Sequence, residues 1–134
     1  MPIKTKRWND PPEPTDGFRL LICRYRPRGI AKADETWDAW EHKLGPSKSL
    51  HGAVYTESAS PVGWATYRQR YLAEMRQQKQ LIDALATRVK NGETITLLCS
   101  SACTRESRCH RSLLAELIEA AINSDPNQVP LSPS

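Results

Sequence analysis

Three of the four cysteines lie in one short stretch, residues 94–111, with the sequence TITLLCSSACTRESRCHR. The same stretch holds one of the three histidines and three arginines. Thiol, imidazole and guanidinium groups can act as nucleophiles, proton carriers and anion-binding groups. We therefore look for the chemistry of this chain at Cys99, Cys109, His110 and Arg111.

A predicted strand and a predicted helix flank this cysteine stretch. Residues 94–98 alternate and then run apolar into Cys99, which is typical of a short buried strand, and residues 112–122 have the spacing of an amphipathic helix. The N-terminus of such a helix directs free N–H groups and its positive dipole end at the preceding loop. Cys109 and His110 would stand in the first turn, where a thiol is acidified.

The first interpretation of the stretch is an anion site. Arg111, together with Arg24 or Arg28 from an earlier loop, can clamp a phosphate or carboxylate. If the site catalyses, Cys109 or Cys99 would be the nucleophile, His110 the proton carrier and Arg111 the electrostatic clamp. In the structural alternative, His110 and Arg111 only tie the loop to an earlier helix, and the two cysteines are small buried hydrophobes.

Two further patterns are present in the cysteine stretch. Cys99 and Arg105 have the Cys-x5-Arg spacing of a phosphatase loop, but four cysteines and 12 arginines make a chance match easy, and Glu106 would repel a phosphate. Cys99, Cys103, Cys109 and His110 are suitable ligands for tetrahedral zinc. Adjacent helical residues point about 100° apart, however, so Cys109 and His110 should not share an ion. We predict no cofactor and keep zinc as an alternative.

Charge and composition indicate an anionic partner and a cytoplasmic location. The net charge is +4, and residues 3–32 alone carry eight basic and three acidic side chains. This favours a phosphate, a nucleotide or a nucleic acid. No apolar run approaches the roughly 18 residues of a membrane span. The N-terminal residues lack the apolar core of a signal peptide, so we expect cytoplasmic cysteines that are thiols or metal ligands rather than disulfides.

The remaining patterns predict alternating strands and helices. Strands are expected at residues 3–8, 18–23 and 94–99. Helices are expected at residues 35–44 with Trp37 and Trp40 in the core, in a short segment capped by Ser47, and at residues 112–122. Between Ser60-Pro61 and Asn91-Gly92, either one long helix bends near Gln78 or two helices meet there. Residues 124–134 should be a disordered tail after one domain at residues 1–123.

This alternation predicts an α/β fold with a small, mostly parallel sheet flanked by helices. Ligands of such sheets bind outside the carboxyl ends of the strands. Cys23 and Arg24 end one predicted strand and Cys99 ends another. The basic loop and the cysteine stretch should therefore meet at one edge of the sheet.

Several ordered motifs, spread over roughly residues 3–122, resemble the domain of unknown function 488 family. They are DGFRLLICRYRPRGIAK at residues 16–32, Trp40, Pro46-Ser47 with Leu50, YRQRYLAEM at residues 67–75, and LLC…CHR at residues 97–111. The family has no established activity. The resemblance implies that its patterned residues are Lys6, Arg24, Pro27, Arg28, Gly29, Pro46, Ser47, Cys99, Cys109, His110 and Arg111. Tyr25-Arg26, Cys103 and Arg105 depart from the pattern.

Our hypothesis is a single-domain α/β protein with a pocket for an anionic small molecule. The pocket would be built from Lys6, Arg24, Arg28, Cys99, Cys109, His110 and Arg111. The rival hypothesis is a nucleic-acid-binding module without catalysis, in which the basic N-terminal segment follows a phosphate backbone. The substrate, the reaction and the oligomeric state are not readable from the sequence.

Overall fold

A computed structural model describes residues 3–55, 63–100 and 109–123, and four parallel strands form its sheet. The strands are β1 (Ile3–Arg7), β2 (Phe18–Leu21), β3 (Ala39–Trp40) and β4 (Ile95–Cys99). Their order is β1-β4-β2-β3, and every pair is parallel. The predicted α/β class with a small parallel sheet is confirmed, as are the three predicted strands.

The central strand β4 is buried along its whole length. It pairs with β1 on one side and β2 on the other, so that Ile95 lies beside both Ile3 and Phe18. A strand with neighbours on both sides and both faces covered reads as an apolar run, which explains the sequence ITLLC. Because the strands are parallel, Cys99 ends at the same edge of the sheet as the residues that follow β1 and β2.

Four helices accompany the sheet in the described part of the chain. They are α1 (Lys48–Tyr55), α2 (Trp64–Met75), α3 (Lys79–Lys90) and α4 (His110–Asn123). Their apolar side chains form one core with Leu20, Ile22, Ile95 and Leu97 on one face of the sheet. None of the helices in the described ranges is long and apolar enough to cross a membrane.

The opposite face of the sheet carries a smaller core. Its buried members are Leu21, Cys23, Trp37 and Leu98, and Trp8 and Ile30 pack against them. Among the described residues, loop segments rather than α-helices supply the side chains that cover this face. The two layers of packing therefore differ, and the loop after β2 lies over the carboxyl edge where the predicted site residues meet.

The predicted helix at residues 35–44 is wrong. The segment instead contains β3, which pairs Ala39 with Leu20 at the outer edge of β2. Asp38 N–H donates to the Arg19 carbonyl at 2.7 Å, and Arg19 N–H donates to the Asp38 carboxylate at 2.8 Å. The free edge of a strand offers backbone groups that need partners, and this requirement outweighs a helical spacing of tryptophans. The predicted core position is confirmed for Trp37, whereas Trp40 is 40% exposed.

The other helix boundaries follow the sequence more closely. Ser47 caps α1, with Leu50 N–H donating to its Oγ at 3.1 Å. A 3-10 turn at residues 76–78 separates α2 from α3, as the break near Gln78 predicts. Gly92, with φ of +99°, follows α3 in the left-handed conformation. The predicted cap at residues 60–61, residues 101–108 of the cysteine loop and the tail at residues 124–134 lie outside the described residues.

Candidate functional site

Cys99 and His110 face each other at the carboxyl edge of the sheet. Cys99 is the last residue of β4, and His110 is the first residue of α4, two residues earlier than the sequence pattern indicates. Cys99 Sγ lies 3.7 Å from His110 Nδ1, a hydrogen-bond distance for sulfur. Both side chains are buried, with 1% and 7% exposed. The thiol therefore has an imidazole as a direct, desolvated partner.

A main-chain carbonyl fixes the orientation of His110. Its Nε2 lies 2.9 Å from the carbonyl oxygen of Ile22, which can only accept a hydrogen bond. The Tyr71 ring packs against the imidazole at 5.6 Å, and the Tyr71 hydroxyl donates to the Leu44 carbonyl at 2.7 Å. The proton on Nε2 is thereby assigned, so Nδ1 is the ring nitrogen that faces Cys99 Sγ.

The surroundings of the two groups favour the ion pair of a thiolate and an imidazolium. A hydrogen bond from the Cys23 thiol lowers the pKa of Cys99, whereas burial raises it. The positive His110 and the Ser100 N–H lower the pKa of Cys99 further, so that it lies well below that of a free thiol. Burial lowers the pKa of His110, but the negative Cys99 and the Ile22 carbonyl raise it more, and the net change is upward. The same hydrogen bond raises the pKa of Cys23, so Cys23 stays protonated.

Cys109 is the third member of this cluster. Its Sγ lies 2.9 Å from Cys99 Sγ and 4.0 Å from His110 Nδ1. Cys109 is disulfide-bonded, whereas Cys23 and Cys99 are free. The prediction that the cysteines are thiols or metal ligands is therefore wrong for Cys109. The redox state of a compartment governs whether a disulfide persists, but only the fold decides whether two sulfur atoms meet.

The ligand atoms of the cluster are also close enough together to hold a metal ion. The ligand atoms of Cys99, Cys109 and His110 all lie within 4.8 Å of one another. The expectation that the adjacent Cys109 and His110 would not easily share one ion assumed helical directions for both residues, and Cys109 instead precedes α4. A metal binds thiolates, so Cys109 can serve as a ligand only when its disulfide is reduced.

Arg111 carries a buried positive charge that is only partly compensated. Its side chain is 6% exposed, and Nε and Nη1 have no hydrogen-bond partner within the described ranges. Arg111 is close enough to Asp10 to help lower the pKa of the Asp10 carboxylate. That carboxylate, however, accepts its hydrogen bonds from Arg7, from the N–H at 2.8 Å and from Nη2 at 3.0 Å. A buried guanidinium with free donors is costly, so these two nitrogens call for a hydrogen-bond acceptor.

A cavity of about 250 Å³ opens at the same edge of the sheet. It is lined by Trp8, Cys23, Tyr25, Pro27, Arg28 and Ser100. The cavity thus reaches Cys23, whose thiol is hydrogen-bonded to Cys99, and Ser100, which follows Cys99 in the chain. Arg28 makes no hydrogen bond or ion pair to any residue that the structure describes.

Two predicted binding residues lie elsewhere. Lys6 Nζ contacts the carboxylates of Glu13 at 2.7 Å and Asp16 at 2.9 Å. Arg24 lines a different cavity, of about 210 Å³, next to Ser47 and Glu74. The structure therefore brings Cys99, Cys109 and His110 together, with Arg111 following in the chain and Arg28 at the cavity, and it separates Lys6 and Arg24 from them.

Sequence reasoning missed three groups at the site, namely the Ile22 carbonyl, Trp8 and Tyr25. A main-chain carbonyl leaves no signal in the sequence. Trp8 directly follows β1, so the rule that ligands bind beyond the carboxyl ends of parallel strands was sufficient to find it. Tyr25 stands in the basic loop that the same rule places here.

Comparison with known proteins links the chain to a family of unknown biochemical role. A family model named DUF488-N3a and described as "Active DUF488-N3 subclade" matches residues 3–122. The uncharacterized protein YeaO of Escherichia coli (strain K12) is 38% identical over 120 residues, which cover 90% of this chain and 99% of YeaO. The uncharacterized protein Rv3073c of Mycobacterium tuberculosis (strain ATCC 25618 / H37Rv) is 26% identical over 116 residues, 87% of this chain and 92% of that protein. No solved structure matches.

Proposed function

The chain belongs to the DUF488 family, and from this premise and the geometry around Cys99 we propose that it is a thiol enzyme acting on an anionic small molecule of phosphate or nucleotide type. Cys99 is the nucleophile, His110 carries the proton, and Arg111 and Arg28 attract the anion. The word "active" in the description of the matching subclade agrees with an enzymatic role. It names no reaction.

The contact between Cys99 and His110, fixed by Ile22, carries the proposal. Nucleophilic thiols are recognised by a base within hydrogen-bond reach and a third group that orients the base. Here these distances are 3.7 Å from Cys99 Sγ to His110 Nδ1 and 2.9 Å from His110 Nε2 to the Ile22 oxygen.

The charges around the pair favour an anionic substrate. Arg111 offers two buried guanidinium nitrogens that have no partner among the described residues, and α4 directs its N-terminal N–H groups toward the same region. Arg28 lies at the cavity that reaches Cys23 and Ser100. An anion bound there is stabilised by charges that the fold has already positioned, which is the usual source of electrostatic catalysis.

The reaction that this arrangement supports is a displacement in two steps. The sulfur of Cys99 forms a bond to an electrophilic atom of the substrate, the leaving group departs with its bonding electrons, and His110 Nδ1 gives it a proton. Neutral His110 then takes a proton from water, the resulting hydroxide breaks the bond to sulfur, and the thiolate returns. Nε2 keeps its proton on the Ile22 carbonyl throughout.

Alkylation with two reagents of similar size tests the proposal. Neutral iodoacetamide reports the reactivity of the thiol, and negatively charged iodoacetate adds the attraction of the anion site. We expect labelling at Cys99, located by peptide mass spectrometry, with a preference for iodoacetate of about tenfold over the ratio for a free thiol. The Arg111→Gln variant should lose the preference but keep the iodoacetamide rate, while Arg76→Gln, a surface arginine on the turn after α2, should keep both.

Two results would contradict the thiol enzyme. In the first, Cys99 reacts only after the protein unfolds, which identifies it as a core residue. In the second, His110→Gln alkylates as fast as the natural protein, so the imidazole does not activate the sulfur. Loss of the iodoacetate preference in Arg76→Gln would instead show that the preference reflects net charge rather than a site.

A zinc site is the second candidate, because Cys99, Cys109 and His110 have ligand atoms within 4.8 Å. The reduced protein supplies two thiolates and one imidazole, and water completes a tetrahedral site. Cobalt substitution distinguishes the candidates, since thiolate-bound cobalt has a characteristic absorption. If the cobalt absorption appears after reduction and the Cys99→Ser variant lacks it, the zinc site is favoured over the thiol enzyme.

Binding to nucleic acid without catalysis has less support. Five basic side chains of the N-terminal segment are engaged in ion pairs within the chain. These are Lys4, Lys6 and Arg19 with Asp16, Arg7 with Asp10, and Arg26 with Glu35. The segment therefore presents less free charge to a phosphate backbone than the sequence suggests.

A further inference from the structure

We infer that the cavity at the carboxyl ends of β1, β2 and β4 binds a single nucleotide, with the base against Trp8 and Tyr25 and the phosphate at Arg28. This inference rests on the proposed function for the identity of the reacting sulfur, but the binding it describes is independent of any reaction. It narrows the substrate from an anionic small molecule to one that combines a planar ring with a phosphate.

Two aromatic side chains lining one small cavity provide the surface for a ring. Tyr25 is 50% exposed, and its ring is held nearly perpendicular to that of His51 at 5.0 Å. It is thus a large, supported aromatic group that the core does not use. Nucleobases stack on such side chains with little dependence on sequence, because every base has a π-face.

Trp8 is rigidly attached to the strand that carries Cys99. Its N–H donates to the Cys99 carbonyl at 2.8 Å, and its carbonyl accepts from Thr36 Oγ1 at 2.5 Å. The indole ring packs nearly perpendicular to that of Trp37 at 6.2 Å. A base that contacts Trp8 is therefore held at a defined distance from the end of β4.

The charge of the cavity favours an anion. Arg28 is its one charged lining residue, and no carboxylate lines it within the described ranges. The neighbouring Arg26 is neutralised by Glu35 at 2.7 Å and lies over the Trp37 ring at 5.4 Å. The loop thus ties down one arginine and leaves the other without a partner among the described residues. An arginine of this kind matches the oxygens of a phosphate.

The volume of the cavity limits the size of the ligand. At about 250 Å³, it lies below the range of roughly 300 to 1,000 Å³ that is usual for sites of drug-sized ligands. The cavity is therefore too small for a dinucleotide cofactor, and it would enclose only part of a mononucleotide. Ser100 and the Cys23 thiol complete the lining, so the group attached to the base approaches the sulfur cluster.

Calorimetry with four ligands tests the inference on the Cys99→Ser variant, which cannot form a covalent intermediate. The ligands are AMP, UMP, adenosine (a base without a phosphate) and ribose 5-phosphate (a phosphate without a base). We expect at least one nucleotide to bind at least about tenfold more tightly than either partial ligand. Circular dichroism of the variant verifies the fold, and the natural protein is measured in parallel.

Variants at the cavity locate the two parts of the ligand. Tyr25→Leu should weaken nucleotide binding about tenfold and leave ribose 5-phosphate unchanged, and Tyr25→Phe should retain binding. Arg28→Gln should weaken both phosphates and leave adenosine unchanged. Arg76→Gln, of equal charge change but on the turn after α2, should bind like the parent.

The outcomes separate this inference from the thiol enzyme. Equal affinity for ribose 5-phosphate and the nucleotides overturns the role of the rings, and equal affinity for adenosine and AMP overturns the role of Arg28. Absence of nucleotide binding up to about 1 mM overturns the inference as a whole. Selective alkylation of Cys99 survives all three results, because it does not depend on a base.

Discussion

Gly45 packs directly against the Ile22 carbonyl group that orients His110. A Cβ atom at position 45 would lie 2.9 Å from the Ile22 oxygen and 2.5 Å from the Arg24 nitrogen. These are main-chain atoms, so they cannot rotate away as a flexible side chain would. The segment that leads into α1 therefore sets the position of the group on which the imidazole depends.

Gly45→Ala should accordingly damage both stability and reactivity. Overpacking of this kind costs about 1 to 3 kcal/mol, measured by denaturant unfolding. A displaced Ile22 carbonyl should also slow alkylation of Cys99 by iodoacetamide. Gly63→Ala is the control, since no atom of the described residues lies within 4 Å of a Cβ at that position before α2. Unchanged alkylation in Gly45→Ala would show that the carbonyl does not govern the imidazole.

The alkylation of Cys99 should persist in mildly acidic solution. Its lowered pKa, caused by the hydrogen bond from Cys23 against burial and aided by His110, keeps the thiolate populated below the usual thiol range. For a free thiol with a pKa near 8.5, the rate falls roughly 75-fold from pH 8 to pH 6. For Cys99 we expect a much smaller decrease over that interval. In His110→Gln the steep decrease should return.

Replacement of Asp16 should strongly destabilise the protein. Its carboxylate is 1% exposed and contacts Lys4 at 2.8 Å, Lys6 at 2.9 Å and the Arg19 guanidinium. Asp16→Asn leaves these cations without their shared counter-charge and should cost about 3 kcal/mol in unfolding free energy. Asp83→Asn, which breaks a surface pair with Lys79, should cost less than about 0.5 kcal/mol.

Acid should remove the stabilisation that the Asp16 carboxylate provides. Burial raises the pKa of Asp16, but hydrogen bonds from Lys4, Lys6, the Glu13 N–H and Arg19 outweigh it and hold the pKa well below its usual value. A lowered pKa in the folded state stabilises the protein at pH values above that of the unfolded carboxyl, about 4. The stabilisation declines as the pH falls below that value. The unfolding free energy, measured by denaturation at pH 7 and at pH 3, should fall more on acidification for the natural protein than for Asp16→Asn.

Arg111→Met should stabilise the protein while weakening the attraction for anions. The buried guanidinium lacks partners for two nitrogens in the described structure, and replacing an uncompensated buried charge by an apolar side chain of similar size stabilises by about 1 kcal/mol or more. Arg88→Met should instead destabilise the protein, because Arg88 pairs with Glu93 at 2.8 Å and lies over the Phe18 ring at 4.0 Å. Destabilisation by Arg111→Met would indicate a partner beyond the described residues.

Zinc binding should depend on reduction. Cys109 is disulfide-bonded, so of the three clustered residues the oxidised protein offers Cys99 and His110 as ligands, and treatment with a thiol reductant adds Cys109. We expect tight zinc binding, measured by competition with a chromogenic chelator, after reduction alone. Equal binding by the oxidised and reduced proteins would exclude Cys109 as a ligand.

The sheet was largely predictable because its strands carry strong local signals. Apolar runs that follow a glycine predicted β2 and β4, whereas β1 carries three cations and had a weaker signal. The edge rule for parallel sheets then placed Cys23 near Cys99. β3 was not predictable, because Trp37 and Trp40 have helical spacing and only the open edge of β2 decides their conformation.

The sequence allowed the residue types at the site to be predicted, but not the groups that each of them contacts. The sequence identified Cys99, Cys109 and His110, and it treated all basic residues nearby as equal candidates. It could not show that Lys6 is neutralised by Asp16, since that contact requires the turn at residues 14–16 to lie over β1. Nor could it show that Ile22, an apolar residue, supplies the carbonyl that orients His110.

The pairing of the first strand with β4 has a consequence for biosynthesis. Ile3 pairs with Ile95, so β1 has no partner in the described sheet until more than 90 further residues have been made. During that interval its backbone groups are open to other chains, which is the usual origin of aggregation. The sequence of β1, IKTKR, contains three cations that discourage such contacts. Those charges thus protect the nascent chain before they serve the folded protein.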